Sequence, residues 1–119
     1  MDFTELRATF DPNTVQEILH VTIENANNFF RTLNKAYMDK NYKNMYDSCH
    51  NIIAMGFIGH HPVFDVCKNI NNILRNNKEK VCENDALMIE KLTKNMIMHQ
   101  HDFIEQIKHE IQRNKPIKK

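Results

Sequence analysis

Apolar residues recur along this chain at steps of three and four, the period of helices packed by one face. Asp11-Pro12-Asn13-Thr14 carries a helix-start signature, and Glu17, three residues after Thr14, completes a capping box ahead of Val15, Ile18 and Leu19. A short first helix is predicted over 14–20. A second, over 21–39, follows from the stripe Ile23, Ala26, Phe30, Leu33 and Tyr37. After the polar break Asp39-Lys40-Asn41, the positions Tyr42, Met45, Cys49, Ile52 and Gly56 predict a third helix over 42–58. Gly59-His60-His61-Pro62 interrupts it, since Gly suits a helix end and Pro the first turn of the next helix. Val63, Val66, Ile70 and Ile73 mark a fourth helix over 62–75, and Asn76 to Lys80 read as a loop. Ile89, Leu92, Met96, Phe103, Ile107 and Ile111 mark a long last helix over 83–113, which Pro116 would stop. The expected architecture is all-α, an antiparallel four-helix bundle with a short N-terminal capping helix.

Composition narrows the class without changing that picture. A chain of 119 residues has material for one core, so a single domain over 1–119 is expected. Two Gly and three Pro are too few for the many tight turns of an all-β fold. With 16 basic and 15 acidic residues spread throughout, only the tail Lys115, Lys118 and Lys119 is locally basic, which argues against a nucleic-acid partner. No apolar run approaches a membrane span, and the polar start MDFTELRATF has no signal-peptide character, so a cytoplasmic protein is expected. Cys49, Cys67 and Cys82 lack paired metal-ligand spacing and read as small buried or half-buried thiols.

The stretch Asn41 to Asn72, NYKNMYDSCHNIIAMGFIGHHPVFDVCKNINN, resembles the centre of histidine phosphotransfer (HPt) domains. In that family a helix presents a His followed by an apolar residue, then Lys-Gly, and later a Gly before the next helix. His50 falls at the phosphate-carrying position. Asn41, Tyr42, Met45 and Cys49 follow the family's approach to it, and Ile52, Gly59, Val63, Val66 and Ile70 follow its apolar pattern. This chain differs in having Ile53 and Ala54 where the family has Lys-Gly. Aligning Gly59 takes a one-residue deletion, without which Cys49 would occupy the His position. The resemblance implies a phosphocarrier that relays phosphate between receiver-domain aspartates, with no cofactor of its own and Mg²⁺ supplied by the receiver. Its implied partners are response-regulator receivers and a hybrid sensor kinase, and nothing asks for more than a monomer. The alternative is a phosphate-inactive module of the same fold that docks a receiver or kinase domain.

At about 100° per residue, His50 points about 120° away from the core stripe of its helix and should be open to solvent. Ile53, Ala54 and Phe57 lie beside it, an apolar surface of the kind that docks a protein partner. An imidazole that is largely neutral near pH 7 can attack a phosphoryl group without a neighbouring base. Lys43, two turns earlier on the same face, is a candidate electrostatic support in place of the lysine absent at position 53. Asp47 is either a ring-orienting acceptor or a solvated charge. His61, at the helix junction, is a candidate partner contact or a cap.

Other constellations carry less. Glu17-Ile18-Leu19-His20 is a single Glu-x-x-His unit where a carboxylate-bridged metal pair needs two. His99 and His101 diverge on a helix, being two residues apart. With no Gly-rich phosphate loop, no G-x-S-x-G elbow and no clear nucleophile-base-acid set, independent enzymatic activity is not expected.

Overall fold

The computed structural model describes residues 1–113, and every regular element among them is helical: α1 (Thr4–Thr9), α2 (Pro12–Met38), α3 (Tyr42–Ala54), α4 (Pro62–Leu74) and α5 (Glu83–Arg113), with a 3₁₀ turn over Met55–Ile58. The expected helical bundle is present, and the third, fourth and last predicted helices fall within a residue of their predicted ends once that turn is counted with α3. Pro116 and the tail lysines lie outside the described residues.

The N-terminal third differs from expectation. Asp11 caps α2, its carboxylate accepting from the Thr14 N–H and the Thr14 hydroxyl, each at 2.9 Å, with Pro12 opening the helix. The helix then runs unbroken for 27 residues, so the separate helix predicted over 14–20 does not exist. β-branched Val21-Thr22-Ile23 fails to end it because burial outweighs local propensity. Val15, Leu19, Thr22, Ala26, Phe30, Leu33 and Ala36 form one continuous buried stripe, and the buried Thr22 hydroxyl donates to the Ile18 carbonyl at 2.7 Å. The short capping helix is instead α1, in the segment read as a polar lead. It buries Phe3 and Leu6 and is tied to the far end of α5 by the Arg7–Glu110 ion pair and by the terminal amine of Met1 on Gln106.

The four long helices close a ring in which α2 packs on α3, α3 on α4, α4 on α5 and α5 on α2. The α2–α5 seam is antiparallel: Gln16 donates to the Ile111 carbonyl near one end, and Asn34 and Gln100 exchange amide hydrogen bonds at 3.1 Å towards the other. Phe103 lies between these points, fully buried against Phe30. No helix among the described residues is long and apolar enough to cross a membrane.

The turn into α3 is set by backbone bonds. The N–H of Asn41 reaches the Ala36 carbonyl at 2.8 Å and that of Lys40 reaches Tyr37 at 3.1 Å, a Schellman ending with Lys40 in the left-handed region at φ 54°. Asn41 then caps α3 by accepting from the Asn44 N–H. Gly59 closes the other end at φ 152°, where an added Cβ would sit 2.7 Å from the Asp2 carbonyl oxygen, so only glycine fits. Lys40 has no such role for its side chain. Lys40→Gly should therefore raise unfolding stability by about 1 kcal/mol, read as a higher urea midpoint at unchanged slope. An unchanged or lower midpoint would contradict this account of the corner.

Candidate functional site

Helix α3 buries Met45, Ser48, Cys49 and Ile52 and turns Lys43, Asp47, His50 and Ala54 outwards. The buried residues Met45, Cys49 and Ile52 are wholly inaccessible, so the helix cannot roll to hide His50 without stripping its packing. His50 is exposed, as its phase on the helix predicts.

Two hollows lie along this face. One, of about 680 Å³, is lined by Lys43 and Asp47 together with Arg75 and the loop Asn76 to Lys80. Lys78 from that loop stands 4.1 Å above the Tyr46 ring, a cation–π contact that ties the loop to α3. The other, of about 570 Å³, is lined by Ile53, Gly56, Phe57, Phe64 and Lys68 among others, with Asp2 and Glu5 from the N-terminal segment. Ile53 is half-buried, Ala54 is exposed, and Phe57 is 62% exposed, large for an aromatic ring. His50 stands one turn after Asp47 and one turn before Ile53. The predicted residues Lys43, Asp47, His50, Ile53, Ala54 and Phe57 thus share one side of the molecule. Asp47 makes no hydrogen bond to His50. It is a solvated charge beside Lys43.

His61 is not on that surface. It is 1% exposed, and the expectation that it touches a partner is corrected here. Its Nδ1 accepts the Val63 N–H at 3.1 Å and so caps α4, while Nε2 lies 2.8 Å from Asp102 Oδ2. Because Nδ1 accepts, the proton sits on Nε2 and is donated to Asp102. Phe103 and His99 stand edge-on to the ring. Of the two junction histidines, His60 is the exposed one, 3.3 Å from Asp65.

Burial holds the His61 imidazole below the usual histidine range against the opposing pull of Asp102, and the hydrogen bond from His61 holds the Asp102 carboxyl below its own range. Cys49 and Cys67 are buried and in contact, and the Cys49 thiol together with burial pushes the Cys67 thiol up; Cys82 is exposed, unlike the expected buried or half-buried setting. Among the described residues no group of three or more His, Cys, Asp or Glu is arranged to hold a metal ion.

No family model, curated protein or solved structure matches this chain. The chemistry of α3 therefore has to be read from its own residues. Sequence reasoning missed Lys68 and the cations Arg75, Lys78 and Lys80, because which residues α4 and its following loop bring beside α3 depends on the register between helices.

The His61 cap makes stability depend on pH. A histidine whose folded pKa lies below its unfolded value contributes stability that is present above about pH 6.5 and lost as pH falls through the folded value. Acidification from about pH 7.5 to about pH 5 should cost on the order of 1 kcal/mol, a fall of about 5 °C in Tm. His61→Asn, which can cap without titrating, should flatten that dependence. Equal slopes in the two proteins would show that protonation of His61 is not the cause.

Proposed function

We propose that this protein is a histidine phosphocarrier of the HPt kind, taking phosphate on His50 from a receiver-domain aspartate and passing it to another. The observation that carries the reading is an exposed imidazole on a firmly packed helix, with Ile53, Ala54 and a largely exposed Phe57 beside it and no general base of its own. Such a carrier needs an accessible nitrogen and a docking face, because the receiver brings the Asp and the Mg²⁺ that neutralises the transferring group. In the step itself the lone pair of the unprotonated ring nitrogen forms the N–P bond. The P–O bond to the aspartate breaks, its electron pair leaves with the carboxylate, and the proton on the other ring nitrogen can pass to water. The reverse transfer delivers phosphate onwards.

In this reading the chain is a monomeric, cytoplasmic relay partner of receivers and a hybrid kinase. Phe57 favours one further reading on its own account. An aromatic ring this exposed beside a hollow suits a protein contact whether or not phosphate moves, as in a docking module of the same fold.

Two substitutions separate these readings, with a panel of receiver domains charged by acetyl phosphate as the probe. His50→Gln should keep receiver binding and lose all acid-labile, alkali-stable phosphate by intact mass. Phe57→Asp should weaken receiver binding about thirtyfold or more, as loss of an aromatic anchor does. Receivers that bind wild type through Phe57 without ever phosphorylating it would establish the docking module instead.

A further inference from the structure

Phosphoryl transfer to a histidine puts a dianionic group on the helix surface, and α3 offers no cation next to His50. Position 53 is isoleucine, and Lys43 lies seven residues away, about 10 Å along the axis. Lys43 lines the hollow at the other end of this face, with Asp47, Arg75 and the loop Asn76 to Lys80. The neighbouring helix is a better source.

Helices α3 and α4 run antiparallel in a register fixed at two points. Gly56 faces the Phe64 ring, whose Cδ2 would be 3.8 Å from an added Cβ, and one to two turns further along the pair the Cys49 thiol meets the Cys67 thiol. The residue after each cysteine is turned about 100° from that contact. In an antiparallel pair the two turns carry to the same side, so His50 and Lys68 emerge level with each other on one side of the α3–α4 groove. A hollow on that side is lined by Ile53, Phe64 and Lys68, and His50 stands one turn before Ile53 on α3. Lys68 is exposed and makes no ion pair among the described residues. Of the carboxylates around that groove, Asp65 is engaged with His60 and the Asp2 carboxylate accepts from the N–H and hydroxyl of Thr4, which leaves Glu5 as the acidic side chain that shares the hollow with Lys68.

From this juxtaposition we infer that Lys68 is the cation that meets the phosphoryl group carried by His50, supplied across the α3–α4 groove. The inference rests on the carrier reading above and adds the residue that makes the site electrostatically complete. A flexible ammonium is suited to the task, since it can follow the phosphoryl oxygens as the group arrives and leaves. In transfer from a receiver, it would offset charge on the three equatorial oxygens while the P–O bond to the aspartate breaks and the N–P bond forms.

The test uses the full chain with Lys68→Gln, Lys68→Arg and Lys43→Gln, loaded either by an acetyl-phosphate-charged receiver or directly by phosphoramidate. Transfer to His50 from the receiver should slow about tenfold in Lys68→Gln, a modest loss for an exposed and salt-screened group. Lys68→Arg should retain most of the rate, and Lys43→Gln should lose less than Lys68→Gln, as expected for a screened and more distant charge. The deficit of Lys68→Gln should also shrink as salt is raised. Wild-type loading at His50 with Lys68→Gln transferring at the wild-type rate would overturn the role of Lys68 alone. No phosphate on wild-type His50 from either donor would overturn the carrier reading and this inference together.

Discussion

Three of the four long helices meet at the ring of Phe103. This α5 side chain is wholly buried, edge-on to Phe30 of α2 at 5.9 Å, to Phe64 of α4 at 5.4 Å and to His61 at 5.3 Å. Edge-to-face geometry gives each pair an attraction beyond burial, and truncating a ring in such a position typically costs about 3–5 kcal/mol of a total near 5–15. The cluster also fixes orientation. The residue before Phe103 is Asp102, so seating the ring brings that carboxylate to His61, and His61 in turn caps α4. One residue pair on α5 thereby sets where α4 begins.

Helix α3 is held at second hand. It packs between α2 and α4, through Met45, Cys49 and Ile52, and it has no substantial seam with α5. A helix supported on two sides and open on the third is a good platform for a reactive group. Its inner face is fixed by close packing, and its outer face is free for chemistry. The hollows at the two ends of that face differ in charge. Arg75, Lys78 and Lys80 join Lys43 at the loop end and outnumber Asp47 and Glu79 there, whereas Asp2 and Glu5 outnumber Lys68 at the end nearer the N-terminus. A partner docking along α3, as proposed, would meet a charge gradient as well as an apolar strip, which would favour one orientation over the reverse.

Much of this was legible in the sequence because helical burial is periodic. The stripes through Tyr42 to Gly56, Val63 to Ile73 and Ile89 to Ile111 marked three helices nearly to the residue, and the same phase put His50 outside. Failures came where a local signal competes with burial. The apolar positions Val15 to Leu19 and Ile23 to Tyr37 read as two stripes and so as two helices, yet buried Thr22 joins them into one that runs unbroken. Helix α1 is only six residues long, too short for a period to show, and is held by long-range partners such as Glu110. His61 was left between a partner contact and a cap, and Lys68 was not singled out, for a different reason. A capping histidine and an exposed one have the same sequence signature, and only the register of α4 against α3 and α5 shows that His61 is buried on Asp102 and that Lys68 lines the hollow with Ile53.

The central claim is that docking on α3 selects one histidine. The chain has seven, and His20, His60, His101 and His109 are exposed like His50. The most direct measurement is fragmentation mass spectrometry, by electron transfer, of wild-type protein loaded by a charged receiver, mapping phosphate among all seven. The account predicts phosphate on His50 alone. Phosphate spread over the exposed histidines in proportion to their accessibility, or concentrated on any one of the others, would contradict it.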